Sequence, residues 1–248
     1  MKEIKVLSGS TDAEKSNRNF IVEQLRNTPI PDSELVFNLG LYMNRQSLSR
    51  ILFMTELYRK IIDVHGVVME FGVRWGQNLA LFSSLRGMLE PFNYNRKIIG
   101  FDTFQGFPSV DSKDGSMVSV GDYSVSDNYK NILESILVYH ESESPLSHKR
   151  KFELVEGDAT LTVHDYIKKN PETIVALAYF DFDIYSPTKA CLEAILPRLT
   201  KGSIIAFDEL NCPEFPGETL AVLEVLGLSK YAIKRSPLNP LISYLTIE

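Results

Sequence analysis

Short apolar runs alternate with helical patterns along most of this chain. Stretches such as GQNLALFSSLRGMLE and SPTKACLEAILPRL, with apolar residues at helical spacing, separate the first five runs. Seven runs have the length and composition of β-strands, namely VVMEF (67–71), KIIGFD (97–102), FELVE (152–156), IVALAYFD (174–181), SIIAFD (203–208), YAIKR (231–235) and LISYLTI (241–247).

This alternation predicts an α/β protein with a doubly wound sheet, in which right-handed crossovers join parallel strands. The last two runs are joined too tightly for a crossover. We therefore expect them to form an antiparallel C-terminal hairpin at one edge of a mostly parallel, seven-stranded sheet.

Two segments stand outside the alternation. Residues 1–45 are polar and irregular in pattern, which suggests an N-terminal cap followed by one domain over residues 46–248. Residues 105–126 are rich in Gly, Ser and Asp and are long for a plain connection. Long loops inside compact domains are often functional. We expect this segment to be a lid, with a variable surface insertion as the alternative.

Composition narrows the classes of function. The 248 residues, of which 44% are hydrophobic, can bury one large core, and a net charge of -6 argues against a nucleic-acid partner. Two cysteines are too few for a disulfide framework. No stretch resembles a signal peptide or approaches the roughly 20 apolar residues that span a bilayer. We expect a reduced, cytoplasmic protein without a membrane partner, and a homo-oligomer is left open.

Each of the first five runs has a carboxylate at its last or next-to-last residue. Because ligands of doubly wound sheets bind outside the carboxyl ends of the strands, these groups should share a site. A single one could be a helix N-cap, but five in succession suit a ligand with hydroxyl and amine groups, or a metal ion. The acids at or just after these strand ends are Glu70, Asp102, Asp158, Asp181 with Asp183, and Asp208 with Glu209.

The first of these strand ends has the form of a ligand-binding turn. Gly72 and Gly76 allow close approach of the backbone where a helix N-terminus begins. Asp102 is placed to accept hydrogen bonds from ribose hydroxyls, and Asp158 from an adenine amine. A nicotinamide-dependent oxidoreductase would need G-x-G-x-x-G here and a His, Tyr or Lys at the hydride site, and neither is evident.

Three blocks of the sequence are more specific, namely MEFGVRWGQNLAL, GFDTFQGFPS and FDFDIYSPTKACLEAILPRLTKGSIIAFDEL. They resemble the macrocin O-methyltransferase family, S-adenosylmethionine-dependent enzymes that methylate sugar hydroxyls. The resemblance implies a Rossmann-like class I methyltransferase fold and S-adenosyl-L-methionine as cofactor. It also implies an acceptor that is a sugar nucleotide or a glycosylated small molecule. A non-catalytic protein that binds S-adenosylmethionine is the alternative.

The resemblance also implies cofactor-binding roles. Residues at the end of the first strand would line the methionine part of the cofactor. The end of the second strand would hold its ribose, and the end of the third strand would contact its adenine. The resulting cofactor-binding set is Glu70, Phe71, Gly72, Gly76, Asn78, Asp102, Thr103, Phe104, Asp158 and Asp181.

A magnesium ion is implied as well, held by Asp181, Asp208 and Glu209 through the oxygen ligands that magnesium prefers. The family usually has two aspartates where this chain reads FDEL. If Phe207 replaces the first of them, a ligand is lost; if Asp208 and Glu209 form the pair, the site is kept. We expect Asp183 to be the base that removes the proton from the sugar hydroxyl and Asp181 to be a metal ligand. The alternative is that these two residues have the opposite roles.

Other charged residues have both an ordinary and a functional interpretation. Arg74 could meet the cofactor carboxylate or form a surface salt bridge. Glu218 could favour a helix N-terminus or contact the substrate. Arg45, Arg50 and Arg59 could form a solvated helix face or a basic patch for a diphosphate.

Overall fold

A seven-stranded sheet with helices on both faces forms the body of the protein, whose structure, a computed structural model, describes residues 9–248. The strand order is β3-β2-β1-β4-β5-β7-β6. The strands are β1 (Val67–Phe71), β2 (Ile98–Asp102), β3 (Phe152–Glu156), β4 (Val175–Phe180), β5 (Leu199–Phe207), β6 (Lys234–Arg235) and β7 (Ser243–Thr246).

The helices follow the predicted crossover pattern. They are α1 (Asp12–Arg26), α2 (Asp32–Leu35), α3 (Arg45–Lys60), α4 (Gln77–Leu89), α5 (Tyr129–Ser142), α6 (Ala159–Lys169), α7 (Tyr185–Ile195) and α8 (Pro216–Val225). β1 to β5 are parallel, whereas β7 pairs antiparallel with β5 and with β6. The predicted doubly wound sheet with an antiparallel edge hairpin is therefore confirmed. Within residues 9–248, no helix combines the length and the apolar character needed to cross a membrane.

Two apolar cores flank the sheet. One packs α3, α4 and α5 against it, and the other packs α6, α7 and α8 against the opposite face. The second core contains a row of four stacked phenylalanines, one from each central strand. Neighbouring rings along the row have centroids 5.0, 4.7 and 5.3 Å apart. In order across the sheet these are Phe101, Phe71, Phe180 and Phe207.

This phenylalanine row fixes where the four central strands end. The four residues are register partners, so the residue that follows each of them lies at one level of the sheet. Side chains alternate between faces along a strand, so that next residue turns away from the row and toward the face of α3. The residues that follow are Asp102, Gly72, Asp181 and Asp208. The row thus brings three carboxylates to one edge, on one side of the sheet.

The N-terminal segment is more regular than its pattern suggests. Residues 9–45 contain α1, α2 and a 3-10 helix over Val36–Tyr42, so this part of the cap is helical although its sequence pattern is irregular. Residues 1–8 lie outside the described residues. Thr11 and Glu14 form a capping box at the start of α1. No residue of α1 is buried, which is why its weak apolar pattern did not indicate a helix.

The segment 105–126 is packed onto the domain. Phe107 and Val118 are buried in a small apolar cluster with Phe215, which follows β5. The buried carboxylate of Asp114 accepts a hydrogen bond of 2.6 Å from the backbone N–H of Tyr185 at the start of α7. These contacts hold the segment against the carboxyl edge of the sheet.

Candidate active site

A cavity of about 380 Å³ opens at the carboxyl ends of the central strands. Its lining includes most of the residues that the sequence assigned to a site. They are Glu70, Gly72, Gly76, Asn78, Asp102, Thr103, Asp158, Asp181, Asp183, Asp208 and Glu209.

Two of the expected cofactor-binding residues do not line this cavity. Phe71 is fully buried and belongs to the phenylalanine row, because alternation along β1 turns its side chain toward the core behind the sheet. Phe104 is buried in the core on the other face. The side chains of these two residues therefore belong to the two cores and do not line the cavity.

The turn after β1 requires glycine. The backbone of Gly72 has φ +95°, and a Cβ atom there would lie 2.0 Å from the carbonyl oxygen of Asp181. No L-residue with a side chain fits so close to a neighbouring strand. Gly76 is the N-cap of α4 with φ 75° and supplies no side-chain cap. The first N–H groups of α4 are thus available to a ligand in the cavity.

Asp102 organises the same turn. Its Oδ2 accepts hydrogen bonds of 2.7 Å from the backbone N–H groups of Val73 and Arg74, and its Oδ1 accepts one of 2.5 Å from Phe104. These bonds tie the turn after β1 to the end of β2. A carboxylate offers about four acceptor positions, so one remains for a ligand hydroxyl.

Glu70 is a buried acid beneath the turn. It is 1% exposed, and its Oε1 accepts a hydrogen bond of 2.8 Å from the Asn78 side chain. Its Oε2 is buried without a hydrogen-bond partner. Burial raises the pKa of Glu70 well above its ordinary value. Burial thus disfavours the charged form of this group, and a cationic ligand would stabilise that form.

Asp158 has a structural role that the sequence offered as one interpretation of an acidic strand end. Its Oδ1 accepts hydrogen bonds from the backbone N–H and the hydroxyl of Thr160, at 2.9 and 2.7 Å, and so caps α6. The residue also lines the cavity. Contact with an adenine amine stays a prediction.

Arg50 is the functional residue that the sequence interpretation missed. It extends from α3 into the cavity, where Nη1 donates to Asp181 Oδ2 and Nη2 donates to both oxygens of Asp208, each at 3.2 Å. The expected solvated helix face is therefore wrong for Arg50, although Arg45 and Arg59 are exposed. The sequence nevertheless contains a feature that indicates a buried partner for Arg50.

That feature is the position of Arg50 on α3. It precedes the buried Phe53, Met54 and Leu57 by three, four and seven residues, which is the spacing of one helix face. A cation on the buried stripe of a helix needs an anionic partner inside the protein. The acids at the strand ends provide it.

The acids of β4 and β5 remain only partly neutralised. Burial and neighbouring carboxylates raise the pKa of Asp181 and Asp183 well above the ordinary value. The same causes raise the pKa of Glu209 to about 7. The fully buried Glu218 accepts a hydrogen bond of 2.9 Å from the backbone N–H of Glu209, which places it behind this turn. These groups can take up a proton or a cation.

No metal-binding arrangement is preformed in residues 9–248, where no group of three or more His, Cys, Asp or Glu side chains is placed to hold an ion. Asp181 and Asp208 instead direct oxygens to Arg50. A second guanidinium, that of Arg74, lies 5.0 Å from the ring centre of Tyr123 in segment 105–126.

Neither a protein-family model nor a curated protein sequence matches the chain. Several solved structures do match the chain. The crystal structure of CalS11, described as a calicheamicin methyltransferase, is 44% identical and has a TM-score of 0.93 over 99% of this chain and 97% of that chain. An apo structure of CalS11, described as a TDP-rhamnose 3'-O-methyltransferase, is 43% identical with a TM-score of 0.86 over 97% and 96%. The O-methyltransferase NovP shares the fold at 16% identity, with a TM-score of 0.58 over 94% and 98%.

We expect Glu70→Gln to flatten the pH dependence of stability. Because burial raises the folded-state pKa of Glu70, its contribution is fully present below the unfolded pKa of about 4.3 and is lost as pH rises through the folded pKa. Gln cannot ionise. Urea unfolding should show the free energy of unfolding of the variant rising relative to that of wild type as pH increases from about 5 to about 8.

The matched control is Glu23→Gln on the exposed α1, which should follow wild type at both pH values. Parallel pH profiles for Glu70→Gln and wild type would contradict the raised pKa of Glu70.

Proposed function

The chain belongs to the O-methyltransferase family that contains CalS11, and from this premise we propose that it transfers the methyl group of S-adenosylmethionine to a sugar hydroxyl. The acceptor we propose is a sugar nucleotide. The similarity to CalS11 over nearly the full length of both chains carries this proposal. The closer relationship to macrocin O-methyltransferases, suggested by the three sequence blocks, is part of the proposal.

We expect the cofactor to lie across the ends of β1, β2 and β3. Its ammonium group would satisfy the unpartnered oxygen of Glu70, and its ribose would use the remaining acceptor position of Asp102. Its amino-acid part would approach the turn at Gly72, which lines the cavity. Asp158, at the end of β3, is the residue we expect at the adenine.

The methyl acceptor needs a base, because a neutral sugar hydroxyl is a weak nucleophile. Asp183 is placed for this task at the end of β4, in a left-handed conformation with φ 62° that is costly for a residue with a side chain. As the oxygen–methyl bond forms and the sulfur–methyl bond breaks, the hydroxyl proton passes to a carboxylate. We assign this proton to Asp183, with Asp181 as the alternative base.

Magnesium fits the donor set in chemistry and charge. Asp181, Asp208 and Glu209 offer oxygen ligands, and Glu209 Oε2 is buried without a hydrogen-bond partner. Burial and neighbouring carboxylates raise the pKa values of Asp181 and Glu209, and a bound cation would stabilise their ionised forms. When bound, the ion would supply Lewis acidity that favours the ionised acceptor hydroxyl.

Segment 105–126 is proposed as the cover of the transfer site. Gly106, Phe107 and Tyr123 from this segment line the cavity, so its contacts with the domain would exclude water during transfer. The cap segment is a candidate surface for a homo-oligomer, because Phe37 and Leu41 in the 3-10 helix are largely exposed.

The two alternative functions are less well supported. An oxidoreductase lacks both its phosphate-binding glycine pattern and a residue for hydride chemistry. A protein that binds the cofactor without turnover would not require a buried, strained carboxylate at the acceptor side of the cavity. Asp183 therefore favours the enzyme.

The proposed reaction is tested by incubating the chain with S-adenosylmethionine and TDP-rhamnose, with free rhamnose in parallel. We expect a sugar nucleotide one methyl group heavier by mass spectrometry, and no product from the free sugar. Calorimetry with NADH serves as the control for the oxidoreductase. Binding of NADH without binding of S-adenosylmethionine would contradict the proposal.

Asp183→Asn should lower kcat by about a hundredfold or more while leaving S-adenosylhomocysteine affinity nearly unchanged. The raised pKa of Asp183 predicts that wild-type activity increases with pH as the carboxyl ionises. Added magnesium should move that increase to lower pH, since a cation stabilises the ionised form. A full rate in Asp183→Asn would exclude it as the base, and loss of rate in Asp181→Asn alone would exchange the two roles.

A further inference from the structure

Arg50 makes the contacts that a bound cation would make. Its guanidinium lies between the carboxylates of Asp181 and Asp208, which come from two neighbouring strands. Both oxygens of Asp208 accept from Nη2, and one of them also accepts a hydrogen bond of 2.5 Å from the hydroxyl of Tyr179. Arg50 therefore engages three of the four carboxylate oxygens of these two aspartates.

A divalent ion held by Asp181, Asp208 and Glu209 would bind the two carboxylates that Arg50 engages. Two cations cannot share those carboxylates at contact distance without strong mutual repulsion in a partly buried site. Glu209 meanwhile keeps a buried oxygen without a hydrogen-bond partner. Of the three acids that would bind the ion, Glu209 therefore has a carboxylate oxygen without a partner, whereas Asp181 and Asp208 are paired with Arg50.

The Arg50 side chain can move away from the two aspartates while its helix stays in place. α3 is anchored by Phe53, Met54 and Leu57, which are fully or almost fully buried, so the helix itself is fixed. The arginine side chain is long and partly exposed, with 29% of its surface accessible. It can turn from the aspartates toward the open side of the cavity without moving the helix.

We propose that Arg50 is a built-in counter-cation, which holds the carboxylates of Asp181 and Asp208 in the metal-free protein and is displaced from them when a divalent ion binds. The inference rests on the magnesium part of the proposed function. It explains why acids with the chemistry of a magnesium site do not converge as a metal-binding group in residues 9–248. It also makes the position of the Arg50 side chain depend on metal occupancy.

Mn²⁺ is the probe, with the free ion measured by electron paramagnetic resonance in titrations of the full chain. Removal of a competing cation should tighten binding, so we expect Arg50→Met to lower the Mn²⁺ dissociation constant about tenfold. Arg50→Lys keeps a positive charge and should have a smaller effect. It also provides a second test of the inference if Arg50→Met does not fold. Arg74→Met is the matched control, because Arg74 acts on Asp183 through its charge alone. It should change the constant by less than about threefold.

Thermal unfolding gives a second readout that does not depend on activity. Without metal, Arg50→Met should melt below wild type, because its aspartates lose their counter-cation. Saturating Mn²⁺ should bring the two melting temperatures together, since both proteins then have the same cation at the site.

Three results would overturn the inference. Equal Mn²⁺ affinity in wild type and Arg50→Met, or a melting difference that persists at saturating Mn²⁺, would refute displacement while leaving the metal site intact. An equal gain in Arg74→Met would reduce the effect to general electrostatics. Absence of Mn²⁺ binding in every variant, with methyl transfer continuing in EDTA, would refute the magnesium part of the proposed function as well.

Discussion

The row of four stacked phenylalanines is the constraint on which the site depends. Packing of these rings in the core behind the sheet sets the register of β2, β1, β4 and β5 at their carboxyl ends. Because side chains alternate along a strand, the next residue of each strand must face α3. At three of the four positions that residue is an aspartate, and at the fourth it is Gly72, which lets the backbone turn closely past β4. Hydrophobic packing on one face thus determines the polar chemistry on the other.

The cost of this arrangement is electrostatic. Carboxylates brought together in a partly buried cavity repel one another. Burial, and after it this repulsion, raises the pKa values of Asp181, Asp183 and Glu209. Arg50 offsets part of this cost from α3, outside the strands themselves. The remainder is useful for methyl transfer, because an acid that resists ionisation becomes a stronger proton acceptor once it has ionised.

The parts of the fold that local pattern determines could be predicted from the sequence. Apolar runs located the seven strands, and the repeated carboxylate at the strand ends located the cavity. Local pattern could not decide details that depend on three-dimensional neighbours. Phe71 follows Glu70 in the same block, yet only the register of the sheet shows that its ring faces the core. Asp102 was expected at the ribose, but its backbone bonds to the turn after β1 arise from contacts between two strands.

Arg50 shows the same limit. Its place on the apolar stripe of α3 was readable, but its partners lie 131 and 158 residues away along the chain. The bounds of the cap helices could not be predicted for a different reason. α1 buries no residue, and the local sequence signal for it is the capping box at Thr11. Long-range ion pairs and exposed helices are therefore the features for which an apolar pattern carries the least information.

A crystal structure of the chain with S-adenosylhomocysteine and TDP-rhamnose would test the central claim most directly. The account predicts one sugar hydroxyl oxygen within about 3.2 Å of an Asp183 carboxylate oxygen and in line with the sulfur of the cofactor product. It also predicts the ribose at Asp102 and the amino-acid part beside Glu70. A sugar bound away from the ends of β4 and β5, with its hydroxyls remote from both Asp183 and Asp181, would contradict it.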